Sequence, residues 1–147
     1  MATFGTPQPG EQDATHALAC ARAMQTALGV WNCDRRRKGL PALRVGIGLH
    51  YGEVVLGDIG ANRLEYAVLG AAVNVASRLE KLTRTLDGDI VLSDGLRAQL
   101  AREGAGGDLL AGFTCHEGQV IRGISAVSHT HINPAEGRRG IGTGGRR

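Results

Sequence analysis

The sequence predicts an α+β fold: an antiparallel-rich sheet with helices packed on one side. Three observations predict it. A long early stretch carries apolar residues at helical spacing, the period switches to strict alternation at Leu43, and a second helical period opens near Ala72 with short strands behind it. At 147 residues the chain makes one domain. Its 42% hydrophobic content is too high for a disordered polymer. Only 3% of residues are aromatic, so the core must be built from Leu, Val, Ile and Ala.

Each element follows from its own pattern. Met1 to Gly10 is irregular, with Phe4 ahead of two prolines. Asp13 stands where an N-cap belongs, and Ala14, Ala17, Ala21, Met24, Leu28 and Trp31 fall on one helical face. The run Arg35, Arg36, Arg37, Lys38 suits the negative end of that helix, and Gly39 stops it. A nucleic-acid patch is the other reading of that run; the solvated helix end is preferred. From Leu43 the period is two. Leu43, Val45, Ile47 and Leu49 alternate with Arg44, Gly46, Gly48 and His50, a half-buried strand. Tyr51-Gly52 then reads as a turn into a second strand, Val54 to Leu56, closing a hairpin that ends at Gly57 to Gly60. Leu64, Tyr66 and Val68 form another alternating segment before Gly70.

A helix is predicted from about Ala72 to Leu86, with Val75, Leu79, Leu82 and Leu86 facing the core. A short strand, Asp89 to Leu92, leads to Ser93, a cap for a helix carrying Leu96 and Leu100. Gly104 to Gly107 reads as a loop, and Gln119 to Ile121 and Ala126 to Ile132 as final strands. Residues 133–147 form a Gly/Arg tail without apolar period, expected to be disordered, after a domain over residues 1–132.

The net charge of +3 sits entirely in that tail, where Arg138, Arg139, Arg146 and Arg147 face only Glu136. The body is neutral and supplies no excess from which to build a phosphate-binding face, so no nucleic-acid partner is expected. Cys20, Cys33 and Cys115 form no CxxC pair, and an odd count argues against a disulfide framework. Cys115-His116 lacks the further ligands a metal needs. No apolar run approaches the ~20 residues of a membrane span, and no secretion signal opens the chain, so a cytoplasmic location is expected.

Stand-alone signatures are missing: no Walker A loop, GxSxG elbow, HExxH or EF-hand loop. The Gly46-Ile47-Gly48 triplet lies within an alternating strand and is a poor dinucleotide fingerprint. The informative stretch is Tyr66 to Glu80, YAVLGAAVNVASRLE. Asn74 and Arg78 stand four apart and share a helix face, while Val75, Leu79 and Leu82 hold the helix to the core. An amide and a guanidinium aimed together can grip the ribose and phosphates of a nucleotide. By spacing alone, a solvated face with a surface Arg and a polar Asn is the preferred reading.

These residues resemble the class III nucleotide cyclase catalytic domain, the family of adenylate and guanylate cyclases. The likeness rests on Arg44 to Gly60 (RVGIGLHYGEVVLGDIG), Tyr66 to Glu80, Gly112 to Gly123, and MATFGTP at the start. It runs from Met1 to about Ile132. The resemblance implies a ferredoxin-like sheet and head-to-tail dimers with the active sites between subunits. It implies cyclisation of ATP or GTP by the ribose 3′-hydroxyl, with release of pyrophosphate and two Mg2+ or Mn2+ ions held by two aspartates. By position, Asn74 would orient the ribose and Arg78 would stabilise the transition state at the α-phosphate. Arg122 would contact the terminal phosphates, and Ala67 would occupy the place that helps read the base.

Departures from the pattern carry their own expectations. The family's metal aspartates belong to a Phe-x-Asp motif followed by Phe-Thr and to a Gly-Asp ahead of a MATFG-like strand. This sequence holds no Phe-x-Asp, and that Gly-Asp would precede Met1. Ala67 has no side chain to hydrogen-bond a purine, and Ala71-Ala72 stands where Asp-Thr is usual. The chain is therefore expected to be the C-terminal portion of an adenylate cyclase domain, truncated at the N-terminus, without metal ligands and inactive alone. ATP is expected because bacterial-looking members of the family mostly use it. The alternative is a non-catalytic module that dimerises with a complete cyclase chain and completes its site. An RNA-binding module using the Arg/Gly tail is a third, weaker reading, since the strands lack clustered aromatics.

Overall fold

The computed structural model describes residues 1–58, 66–119 and 128–134. Its elements run α1 (Asp13–Arg37), β1 (Ile47–Leu49), β2 (Val55–Asp58), β3 (Tyr66–Leu69), α2 (Ala71–Thr85), β4 (Gly88–Ser93), α3 (Asp94–Arg102), α4 (Gly106–Leu109), β5 (Thr114–Gln119) and β6 (Ser128–Pro134). Four strands form one sheet in the order β1-β4-β6-β5, and β2 and β3 form a separate pair. The α+β class stands in this coarse form.

The finer expectation needs correction in two places. The predicted hairpin between the first two strands does not form. β1 pairs instead in parallel with β4, Ile47 opposite Ile90, and β2 pairs antiparallel with β3, Val55 opposite Leu69. The described strands therefore show a mixed sheet, parallel at β1–β4 and antiparallel at β4–β6 and β6–β5, plus a small ribbon. Helices also cover both faces. Neighbouring strand residues point to opposite sides. Leu92 of β4 packs with Ala14, Leu18, Leu96 and Leu100, and Val91 beside it packs with Val75 and Leu79 of α2. Ile90, Val91 and Leu92 are all fully buried, as a strand covered on both sides requires.

The first strand is shorter than its alternation predicts, for a definable reason. Residues 43–45 are fastened to α1 by side chains rather than by a neighbouring strand. Asn32 donates from Nδ2 to the Leu43 carbonyl and accepts the Leu43 N–H at Oδ1, both at 2.8 Å. Gln25 Nε2 donates to the Val45 carbonyl at 2.6 Å. Two side-chain amides stand in for a strand edge, and Leu43 and Val45 are left exposed.

α1 is capped differently from expectation. Asp13 is its first helical residue, and its carboxylate accepts the Gly10 N–H at 2.6 Å instead of capping the helix. The cap comes from the residue that ends α3. Glu103 accepts the Ala14 N–H at 3.2 Å and the Thr15 N–H at 2.8 Å, so a distant carboxylate satisfies two orphan donors of the first turn. Ser93 caps α3 as predicted, its Oγ accepting the Leu96 N–H at 3.2 Å. Within the stretch expected to be a loop, Gly106–Leu109 makes one helical turn. Ala126 and the 120–121 end of the penultimate predicted strand lie outside the described residues, as do residues 135–147 of the expected tail; Asn133 and Pro134 belong to β6.

Candidate functional site

α2 forms where the sequence puts it because Val75, Leu79, Leu82 and Leu86 recur at helical spacing over β4. Its start is set by Gly70, whose φ of 151° suits glycine and whose Cα faces the Glu53 carbonyl so closely that a Cβ would lie 3.2 Å from it. No side chain caps this end, and no acidic residue stands in its first turn. The positive end of the helix dipole is therefore left uncompensated by α2's own side chains.

On this helix Val75 and Leu79 are buried, Asn74 is exposed, and Arg78 is half-buried at the rim of the apolar face. The amide and the guanidinium thus stand one turn apart on the outward side. Among the described residues neither is hydrogen-bonded or ion-paired through its side chain. Other arginines are engaged: Arg84 lies 3.4 Å from Glu80, and Arg44 lies 3.1 Å from Asp87 and 3.7 Å from Asp89. Arg78 is a cation still open to a ligand anion, so far as the described residues go.

The other two sequence-predicted positions are less visible. Ala67 lies on β3 with its backbone opposite Gly57 of β2. Arg122 lies outside the described residues. A cavity of about 360 Å³ opens between the start of the chain and the ribbon, lined by Thr3, Thr6, Pro7, Leu56 and Val68. A second space of about 230 Å³ lies behind α2, among Arg44, Gly46, Thr83 and Asp89. Neither cavity gathers Asn74 with Arg78.

Sequence reasoning passed over one polar junction. His50, at the end of β1, lies with Nδ1 2.8 Å from Ser93 Oγ, the same hydroxyl oxygen that caps α3. Burial lowers the His50 pKa below its usual value, which suits a neutral ring accepting the Ser93 proton at Nδ1. The signal was the alternation itself, which places His50 on the same strand face as Gly46 and Gly48.

A divalent metal pair held by two aspartates is the group the sequence resemblance implies. Among the described residues no three His, Cys, Asp or Glu side chains gather as a ligand group. No chemical step is therefore assigned to a metal held by these residues.

The parallel strand pair and the helix seated on it, with an amide and a guanidinium on its outward side, make an α+β domain. Comparison with known proteins gives the family. The chain belongs to the adenylate and guanylate cyclase catalytic domain family, whose sequence model matches residues 1–124. It is 37% identical over 100 residues to adenylate cyclase 1 of Rhizobium meliloti (strain 1021), covering 67% of this chain and 15% of that protein. It is 41% identical over 90 residues to an adenylate cyclase of Anabaena cylindrica, covering 58% of this chain and 18% of that one. The chain thus spans under a fifth of the length of these curated relatives. Among solved structures it resembles the guanylyl cyclase Cya2, with a TM-score of 0.67 and 32% identity over 89% of this chain and 63% of that one. The adenylyl cyclase CyaB from P. aeruginosa shares the fold at a TM-score of 0.67 and 22% identity, over 92% of this chain and 66% of that one. Among the described residues, no helix is long and apolar enough to cross a membrane.

Proposed function

We propose that this chain supplies the ribose-orienting and charge-stabilising half of an adenylate cyclase site that is completed by a second subunit. One observation carries the reading: α2 buries Val75 and Leu79 and turns Asn74 and Arg78 outward without a described partner. A side-chain amide and a planar fork of donors are suited to a ribose oxygen and to a phosphoryl group gaining charge. Fixed donors of this kind lower a barrier because they need no reorganisation as charge develops.

In this reading Asn74 holds the ribose so that its 3′-hydroxyl faces the α-phosphorus of ATP. Arg78 stabilises the charge that builds on the α-phosphate as pyrophosphate leaves. Arg122 steadies the terminal phosphates, and Ala67 sits beside the purine without reading it by hydrogen bond. The metal carboxylates come from the partner chain, where Mg2+ or Mn2+ is bound. In a head-to-tail dimer the wall opposing Asn74 and Arg78 belongs to the partner.

The test is complementation. The purified chain alone, with ATP and Mg2+ or Mn2+, is expected to make no cyclic AMP above background. It is then mixed with a cyclase domain that keeps its metal aspartates but has lost its own helix arginine. Activity should appear on mixing and fall about a hundredfold or more with Arg78→Ala in this chain. Activity of the chain alone, or a gain on mixing that survives Arg78→Ala, contradicts the reading.

A further inference from the structure

Two glycines of the alternating stretch, Gly48 in β1 and Gly46 just ahead of it, face α2, and the two contacts differ in kind. A Cβ built at Gly46 would collide with the side chain of Thr83, whose Cβ would lie 3.0 Å away and whose Cγ2 would lie 3.2 Å away. A Cβ built at Gly48 would collide with the backbone of α2 itself, at the Ala76 carbonyl oxygen and the Glu80 nitrogen. Those two atoms belong to one helical turn, and Arg78 lies within it. A side chain can rotate or be trimmed; a helix backbone can only move as a body.

By helical geometry, Ala76, Leu79, Glu80 and Thr83 face β1 while Asn74 lies on the opposite side of α2. Any bulk added at Gly48 therefore pushes the helix along the direction in which Asn74 points. We propose that Gly48 is a positioning residue for the Asn74 and Arg78 pair: its missing side chain fixes how far α2 stands from β1. This rests on the reading of Asn74 and Arg78 as nucleotide contacts, and it adds a determinant outside them. A Cβ that must regain ordinary contact would move the helix by about 1 Å, the scale at which misplacement of catalytic groups becomes costly.

The experiment titrates the whole chain with a fluorescent N-methylanthraniloyl ATP and Mg2+, alongside thermal melting of each variant. Gly48→Ala should still melt cooperatively, with Kd raised about tenfold. Gly46→Ala should also weaken binding, and adding Thr83→Ala, which removes the colliding hydroxyl and methyl, should restore Kd to within about twofold. Gly29→Ala, at a helix position with nothing within 4 Å of the new Cβ, should leave Kd unchanged. A role in stability alone would lower melting temperatures and spare the affinity of the folded chain.

A folded Gly48→Ala that binds like the natural chain overturns the inference and leaves the nucleotide reading intact. If Gly48→Ala does not fold, the Gly46 pair decides: weakening with rescue supports the inference, and unchanged affinity or no rescue overturns it. A natural chain that does not bind the nucleotide overturns the functional reading, and this inference with it.

Discussion

α1 and α2 lie on opposite faces of the same sheet and solve the problem of attachment differently. α2 is held by an apolar stripe, Val75 and Leu79 over Val91, with Leu82 and Leu86 closing the edge. The fully buried residues of α1, Ala14, Leu18 and Ala21, all lie in its first half. Further along, polar side chains take over: Gln25 and Asn32 grip residues 43–45, and Arg35 Nε donates to the Pro41 carbonyl at 2.9 Å. Arg22 ties in the 109–113 stretch, donating to the Leu109 carbonyl at 3.1 Å with its guanidinium over the Phe113 ring. Met24, 49% exposed, and Trp31, 54% exposed, face outward. The difference shows that apolar periodicity locates a helix reliably but fixes its buried face only where apolar contact alone holds it.

The sharpest way to break this comparison is to truncate both stripes. Leu79→Ala removes a fully buried side chain and should cost about 2–5 kcal/mol in chemical denaturation. Met24→Ala and Trp31→Ala, on the stripe that the spacing nominates in α1, should each stay within about 0.5 kcal/mol. Equal costs on the two helices would show that α1 buries the outer stripe after all, for example against a second copy.

Next in size is the borrowed cap. Glu103→Ala should destabilise by about 1 kcal/mol, the usual cost of a lost helix cap, although the residue lies far from α1 in sequence. Its pH dependence has a defined sign. Partial burial pushes the Glu103 carboxyl up, but hydrogen bonds from Thr15, Gln99 and Ala14 outweigh it and leave the carboxyl below its usual value. The unfolded chain therefore takes up the proton first. The cap's contribution is complete above the ordinary glutamate pKa of 4.5 and is lost as pH falls through the lower folded value. In Glu103→Ala that acid-side loss should be smaller.

His50 acts in a higher window. Burial lowers its pKa from 6.5, so between the folded value and 6.5 the unfolded chain binds more protons and stability rises with pH. Replacing His50 with Asn should flatten the stability profile on the acid side of 6.5. The smallest effect tests the exposed back of α1. Gly29→Ala should stabilise by about 0.5–1 kcal/mol, because the new methyl meets nothing and the helix interior loses a flexible residue.

Much of the site was legible in the sequence because its helix obeys the simplest rule. Val75, Leu79, Leu82 and Leu86 predict α2 to within a residue at either end, and with it the outward setting of Asn74. Ser93 was readable as a cap for the same reason: its partner, the Leu96 N–H, is local. What could not be read depends on distant groups. Nothing near Asp13 signals that Glu103 caps α1, so the local carboxylate was assigned a task it does not perform. Alternation over Leu43 to Leu49 says that a strand is compatible but not which edge it meets, so the Asn32 clamp and the parallel pairing with β4 were both missed. The start of β5 at Thr114 is not legible because Thr-Cys-His-Glu-Gly-Gln has no apolar period; pairing with β6 makes it a strand.

The central claim concerns two side chains on one helix, and side-chain nitrogen NMR reads both directly. On titration of the chain with ATP, the Arg78 Nε–H and Asn74 Nδ2 signals should shift together and saturate with one Kd. Arg84, already paired with Glu80 on the same helix, should stay in place. Silence at both positions, or equal shifts at every arginine as for loose ionic attraction, would contradict the account.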